Sequence, residues 1–213
     1  MPPARTPPTQ IALPLLPGDH GEAQRIVVGN ANRAAAEALQ APATWPFHTA
    51  VLTGPARSGK TLLGRWAEGQ GIEVIDGADR IDEAEVFHRW NKVQEGGAQA
   101  GQSLLLIADA VPWEVRLPDL ASRLGGSLQL AIGDPDDEMA AQLIMAHASA
   151  RGLSLPAGAA DYLVPRTRRS FAALEALVAA IDRISLERAA PPTLSVWRAA
   201  LEALHGPPQA KLL

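Results

Sequence analysis

The stretch LTGPARSGKTLL constrains the fold more than any other part of the chain, because it contains the pattern G-x-x-x-x-G-K-[ST]. An apolar run, HTAVLTG, leads into the pattern, and a segment with helical periodicity, KTLLGRWAEGQG, follows it. In this setting the glycines let backbone N–H groups close around phosphates at the N-terminus of a helix. The sequence therefore predicts a nucleotide-binding P-loop, with a ligand-free glycine turn as the alternative. The predicted loop comprises Gly54, Pro55, Ala56, Arg57, Ser58, Gly59, Lys60 and Thr61.

Charge and metal chemistry at this loop need particular side chains. Lys60 is predicted to neutralise the outer phosphates, and the Thr61 hydroxyl to hold Mg²⁺. The water shell of the metal also needs an acid at the end of a neighbouring strand, for which Asp76 in EVIDGADR and Asp109 in LLLIADAVP are the candidates. Neither is followed by the second acid that activates water in hydrolytic P-loop proteins. We therefore predict nucleotide binding without efficient hydrolysis by this chain alone.

The order of predicted elements indicates an α/β core followed by helices. IEVID and SLLLIAD are further short apolar strands, and the segment between them has a helical pattern from about Asp82. Strands that alternate with helices imply a parallel sheet. After Pro135 the alternation stops, and helices are predicted at roughly 136–150, 157–164, 170–188 and 193–204. The predicted division is an N-terminal arm at 1–20, a nucleotide-binding core at 21–134, a helical lid at 135–205 and a tail at 206–213.

Composition excludes several kinds of protein. The net charge of −4 does not favour strong direct binding to DNA, and the absence of cysteine rules out disulfides and thiolate metal sites. The five histidines show no paired spacing, so a protein-held metal centre is not expected. The opening MPPARTPP has no apolar signal region, and no run is long enough for a membrane span. We expect a cytoplasmic protein.

Three stretches together resemble one family: RIVVGNANRAAAEAL, VIDGADRIDEAEVFHRWN and LLLIADAVPWEVRLPDLASRLG. They look like the AAA+ module of the bacterial initiator DnaA, and more closely like its small relatives of the Hda (HdaA) family. The resemblance covers about residues 10–204. It implies a P-loop AAA+ core with a parallel β-sheet flanked by helices, followed by a small α-helical lid. Because the sequence ends at Leu213, without a further DNA-binding domain, the Hda architecture is the better match.

The resemblance also assigns roles to individual residues. It places Val28 near the adenine, Asp76 at the Walker B position, Asp109 at the end of the sensor 1 strand, and Arg123 at the arginine finger that acts on a neighbour's γ-phosphate. For Arg123 the alternative is an ordinary surface arginine on a loop.

Two departures from the family pattern affect these assignments. The short interval between Lys60 and Ile72 leaves no room for the edge strand and helix that usually precede Walker B, so Asp76 and Asp109 both remain candidates. The lid arginine that usually contacts phosphate is replaced by Ala172. Arg168 or Arg169 would then supply the contact, or they form a solvated basic start of a helix.

The opening stretch TQIALPLLPG places large apolar residues before the predicted core. It resembles the clamp-binding peptide of Hda and other replication proteins, with Gln10 for a polar pocket and Leu13 and Leu15 for an apolar one. Ile11 belongs to the same peptide, and Pro14 lowers the entropy cost of the bound shape. An edge strand and a disordered tail are the alternatives, and Pro14 counts against the strand.

The resemblance as a whole implies a negative regulator of replication initiation. Such a protein binds ADP or ATP with Mg²⁺, with ADP favoured, and binds the DNA-loaded sliding clamp, the β subunit of DNA polymerase III. It then stimulates hydrolysis of ATP by DnaA through Arg123. A homodimer or higher oligomer is also possible for such a chain. The alternatives are an ATP-dependent loader of the replicative helicase and a P-loop scaffold without turnover.

Overall fold

The computed structural model describes residues 26–95 and 103–205 of the chain, and contacts divide it into two compact units after Gly133. The first unit holds a parallel sheet with helices, and the second is entirely helical where it is described. The predicted clamp peptide, from Gln10 to Leu15, lies outside the described residues. None of the described helices is both long and apolar enough to span a membrane.

The sheet of the first unit has four strands in the order β2-β3-β1-β4, and every neighbouring pair is parallel. The strands are β1 (Thr49–Thr53), β2 (Glu73–Asp76), β3 (Leu104–Ile107) and β4 (Leu128–Ala131). Strand β3 is fully buried, as expected for a central parallel strand that is covered on both faces. Strand β2 is the edge of the described sheet, in agreement with the short interval that follows the P-loop. Within the described interval from Lys60 to Ile72 there is one helix and no strand, as the sequence analysis predicts.

Four α-helices accompany this sheet in the described part of the first unit. They are α1 (Arg33–Leu39), α2 (Lys60–Gly69), α3 (Glu83–Glu95) and α4 (Pro118–Gly126). Helix α2 approaches the sheet closely at Gly64, where a Cβ atom would lie 2.8 Å from Ile107 and 3.2 Å from Val74. Helices α3 and α4 share one apolar layer with the sheet, in which Val86, Trp90, Leu120 and Leu124 are buried.

The second unit contains four described α-helices. They are α5 (Asp137–Ala150), α6 (Ala159–Leu163), α7 (Phe171–Glu187) and α8 (Leu194–His205). The side chains of Asp136 and Ser170 cap α5 and α7 by accepting hydrogen bonds from the backbone N–H groups of Met139 and Ala173. The apolar stripe of α7 is buried as its period indicates, and its residues are Phe171, Leu174, Leu177, Val178, Ile181 and Ile184. The predicted α/β core with a helical satellite is thus confirmed.

Candidate functional site

The predicted P-loop joins the end of β1 to the start of α2. Gly59 has a φ of 87° and Arg57 a φ of 66°, so the loop passes through the left-handed region just before the helix begins. At Gly54 a Cβ atom would lie 2.8 Å from the Cβ of Ile132, which follows β4, and glycine is therefore required for this packing. The Ser58 Oγ atom is buried and makes no hydrogen bond within the described chain. This orphaned hydroxyl and the tight turn suit a loop that closes around an anionic ligand.

Lys60 lies inside the loop rather than in solvent. Its side chain is buried, and Nζ donates hydrogen bonds to the carbonyl oxygens of Gly54, at 2.9 Å, and Pro55, at 3.1 Å. Nζ also lies 3.1 Å from Oδ1 of Asp109. The three donors of the ammonium group thereby have three oxygen partners within the protein. A phosphate would therefore replace one of these three oxygens as an acceptor at the ammonium group.

Thr61 and Asp76 meet at the first turn of α2. The Thr61 hydroxyl donates a hydrogen bond to Asp76 Oδ2 at 2.7 Å. A hydroxyl and an exposed carboxylate oxygen at this distance are hard oxygen ligands of the kind that Mg²⁺ prefers. Since Asp109 is paired instead with Lys60, the geometry favours Asp76 as the acid of the metal site. Among the described residues there is no group of three or more histidine, cysteine, aspartate or glutamate side chains that could hold a metal ion.

Asp109 lies between two cations. In addition to its contact with Lys60, it accepts a hydrogen bond at Oδ2 from Nη2 of Arg80, at 2.7 Å. The sequence analysis did not identify Arg80, although it follows Asp76 closely in DGADR. A signal was present, because an arginine just after an acidic strand end is well placed to pair with the acid of the next strand.

Asp79 fixes the backbone at Asp109. Its Oδ2 accepts hydrogen bonds from the N–H groups of Asp109, at 3.1 Å, and Ala110, at 2.8 Å. Burial alone would raise the pKa of the Asp79 carboxyl, but these N–H groups and the charge of Arg80 hold that pKa below its ordinary value. Asp79 therefore stays ionised and stabilises the end of β3 at neutral pH.

Gly77 follows Asp76, and if Asp76 is the acid of the metal site, hydrolytic P-loop proteins usually carry a second acid at the next position. The φ of Gly77, 73°, lies in the left-handed region, and a Cβ atom there would come within 3.1 Å of two nitrogens of the Arg80 guanidinium. A larger residue would be strained and would push against Arg80. The backbone at this position thus suits the Arg80–Asp109 pair, and glycine offers no general base.

Arg123 lies in helix α4, where the sequence analysis expected a loop, and its role as an arginine finger rather than an ordinary surface arginine remains a prediction. Its guanidinium carbon lies 4.4 Å from the ring centre of Phe87 and 4.5 Å from that of Trp90, which are distances for cation–π contact. Nη1 also donates a hydrogen bond to Oδ1 of Asn91. Three residues of α3 therefore fix the orientation of the guanidinium. The sequence analysis placed Phe87 and Trp90 on one face but did not predict this contact.

The segment assigned to the adenine is also held in place. The Asn32 side chain accepts a hydrogen bond from the Gly29 N–H and donates one to the carbonyl of Val27, both at 2.9 Å. Val28 between them is buried. A short turn of this kind presents apolar side chains at a fixed position, but contact between Val28 and a base remains a prediction.

The two lid arginines lie just before α7 in the second unit. Arg169 pairs with Asp137, with 2.6 Å between Nε and Oδ1, and Arg168 is exposed. Ala172 occupies the first turn of α7. The structure therefore brings the P-loop, Asp76 and Asp109 together within the first unit. Contact between Arg168 or Arg169 and a nucleotide remains a prediction.

Comparison with known proteins gives one match to a family model and several to solved structures. Residues 136–193 match the family model described as the lid domain of Hda. Domain III of the replication initiation protein DnaA from Thermotoga maritima has a TM-score of 0.69 at 16% identity, over 85% of this chain and 95% of that chain.

Two further solved structures share the fold. The replication initiator DnaA bound to AMPPCP and single-stranded DNA gives a TM-score of 0.51 at 20% identity, over 77% of this chain and 66% of that chain. The RuvB Holliday junction branch migration motor of Thermotoga maritima gives 0.56 at 18%, over 82% and 68%. At these identities the structural likeness concerns the fold, and it confirms the predicted core with its lid.

Proposed function

We propose that the chain is an AAA+ protein related to Hda and DnaA and that it regulates replication initiation by acting on DnaA. In this proposal it binds an adenine nucleotide at the P-loop and docks beside ATP-bound DnaA. Arg123 then promotes hydrolysis of the nucleotide held by DnaA. The observation that carries the proposal is the match of residues 136–193 to the Hda lid, in a chain that also has the fold of DnaA domain III.

Nucleotide binding is supported by the geometry of the loop. Lys60 lies buried within it, Ser58 Oγ is an orphaned hydroxyl, and Thr61 is paired with Asp76. The DnaA of similar fold is described as bound to AMPPCP, a nucleotide analogue. When bound, Mg²⁺ would neutralise phosphate charge next to Thr61 and Asp76. We propose ADP or ATP as the nucleotide, with ADP favoured.

Weak hydrolysis by the chain itself is supported by the two positions that follow the candidate acids. Gly77 follows Asp76 and Ala110 follows Asp109, and neither residue can accept a proton from water. In the proposal this chain acts in catalysis by supplying a side chain to the active site of a neighbouring protein that hydrolyses ATP. Arg123 is the candidate for that side chain.

The position of Arg123 suits an action in trans. Its guanidinium carbon lies over the rings of Phe87 and Trp90, and Nη1 donates a hydrogen bond to Asn91, while phosphate oxygens are bound through N–H groups. These contacts restrict the side-chain rotamer, and a guanidinium has five N–H donors, of which the bond to Asn91 uses one. An arginine supplied to a neighbouring active site raises the hydrolysis rate about 10³- to 10⁵-fold in other NTPases.

The deciding experiment measures ATP turnover by purified DnaA with and without this protein, in the presence of clamp loaded on DNA. We expect stimulation by the wild type and its loss in Arg123→Ala, with nucleotide binding and clamp binding unchanged. Arg183→Ala, which removes an exposed arginine that pairs within α7, is the matched control and should stimulate normally.

Other results would contradict the proposal in different ways. Equal stimulation by Arg123→Ala and the wild type would place the finger elsewhere. Turnover by this chain alone, or with helicase and single-stranded DNA, would identify a loader. No turnover with any partner would identify a scaffold.

A further inference from the structure

We infer that Arg80 determines how the proposed nucleotide site discriminates between a nucleoside triphosphate and a nucleoside diphosphate, by neutralising the carboxylate of Asp109. The inference rests on nucleotide binding at the P-loop as proposed above. It concerns a residue that lies outside the P-loop and is not the acid of the metal site.

The position of Asp109 creates the need for a neutralising group. Its Oδ1 atom lies 3.1 Å from Nζ of Lys60, the ammonium group that meets the outer phosphates in a P-loop. The negative carboxylate therefore stands beside the place where the outermost phosphate of a triphosphate would lie. A like charge at this point opposes binding, and it opposes ATP more than ADP because ATP carries the additional outer phosphate.

Arg80 supplies the positive charge that balances the carboxylate of Asp109. Its Nη2 atom lies 2.7 Å from the other oxygen of Asp109, so the two oxygens of one carboxylate are shared between Lys60 and Arg80. Gly77 leaves room for the guanidinium, because a Cβ atom at this position would lie only 3.1 Å from two nitrogens of Arg80. When a phosphate replaces Asp109 as the partner of Lys60, Asp109 still pairs with Arg80.

Asp109 cannot easily turn away from this position. Asp79 accepts hydrogen bonds from the N–H groups of Asp109 and Ala110 and so holds the backbone at the end of β3. With the backbone held, the carboxylate can leave Lys60 only by rotation of its own side chain, which would also break its contact with Arg80. We therefore expect neutralisation by Arg80, rather than movement of the backbone at Asp109, to let the site accept a third phosphate.

The effect has a moderate size because the pair is open to solvent. The side chain of Arg80 is 67% exposed and that of Asp109 is 52% exposed, so water and salt screen the interaction. We expect Arg80→Ala to weaken binding of Mg²⁺-ATP about three- to tenfold more than binding of Mg²⁺-ADP. Arg80→Lys, which keeps the positive charge, should preserve most of the wild-type ratio.

The test is calorimetric titration of the full chain with Mg²⁺-ATP and with Mg²⁺-ADP. In the double variant Arg80→Ala with Asp109→Asn, the carboxylate is no longer charged, and the ratio of the two affinities should return to the wild-type value. Arg89→Ala is the matched control, because it removes a 2.7 Å ion pair with Glu73 at the opposite end of β2. That control should leave both affinities unchanged.

Three results would overturn the inference. One is an equal loss of ATP and ADP binding in Arg80→Ala, which would indicate a structural role for Arg80. Another is no loss of either nucleotide, and the last is a double variant that does not regain the ratio. Failure of the proposed nucleotide site itself looks different, because Lys60→Ala would then bind both nucleotides as well as the wild type.

Discussion

The sequence identified the individual residues of the candidate site but did not predict which of them pair with each other. The motif identified Lys60 and Thr61, and the ends of two apolar strands identified Asp76 and Asp109. Which acid faces the Thr61 hydroxyl depends on the directions of side chains at neighbouring strand ends, and no local pattern records those directions. The structure separates the two acids, since Asp76 accepts from Thr61 while Asp109 pairs with Lys60 and Arg80.

Removal of the Lys60 charge is the most direct test of the P-loop. We expect Lys60→Ala to weaken binding of ADP and ATP at least about ten- to hundredfold, because a charge-assisted contact with phosphate contributes about 1.5–3 kcal/mol. The fold should persist, since the carbonyl groups of Gly54 and Pro55 that accept from Nζ can bind water instead. Calorimetry with each nucleotide measures the loss.

Lys92→Ala is the control for this charge change, because Lys92 is an exposed lysine on α3 outside the loop. It should bind both nucleotides like the wild type. Unchanged affinity in Lys60→Ala would exclude the P-loop as the nucleotide site.

At the scale of elements, long periodic segments were predicted better than short ones. The helix predicted at 170–188 corresponds to α7, because an apolar stripe over five turns has few alternative explanations. The sequence analysis did not identify β4 or α4. The β4 strand, LQLA, has only four residues and includes a glutamine, and its pairing with β1 depends on contacts distant in sequence. Such short strands are specified by tertiary packing rather than by local pattern.

The buried stripe of α7 predicts how the lid responds to truncation. Leu174 is 0% exposed and packs in the apolar cluster of the second unit, so Leu174→Ala should leave a cavity. We expect the variant to lose about 2–5 kcal/mol of the free energy of unfolding of this unit. Leu186 is on the same helix but is 75% exposed, and Leu186→Ala should change that free energy by less than about 0.5 kcal/mol.

Urea denaturation of both variants, followed by the far-UV signal of the helices, measures the difference. Equal stabilities of the two variants would mean that the α7 stripe does not form the core of the lid.

At the scale of the whole molecule, the proposed function needs parts that are remote in sequence. In the proposal the P-loop binds a nucleotide, Arg123 acts on the neighbouring DnaA, and the opening stretch binds the clamp. The succession of an α/β unit and a helical unit could be predicted from the order of strands and helices. How a partner engages these parts together could not, because docking depends on surfaces and not on periodicity.

The opening stretch provides the last prediction. If QIALPL is a clamp-binding peptide, Leu13 and Leu15 each contribute about 1.5–3 kcal/mol on burial, and Pro14 lowers the entropy cost of the bound shape. After ordering costs, a short peptide of this type should bind with a Kd of about 1 μM, near −8 kcal/mol. Replacing Gln10, Leu13 and Leu15 by alanine should therefore abolish clamp binding and stimulation of DnaA together, while nucleotide affinity stays at the wild-type value. Arg5→Ala, a neighbouring change that spares the motif, should retain all three activities. Clamp binding is measured by retention of the full chain on immobilised clamp, and retention of the triple variant at the wild-type level would show that the clamp contact lies elsewhere or does not exist.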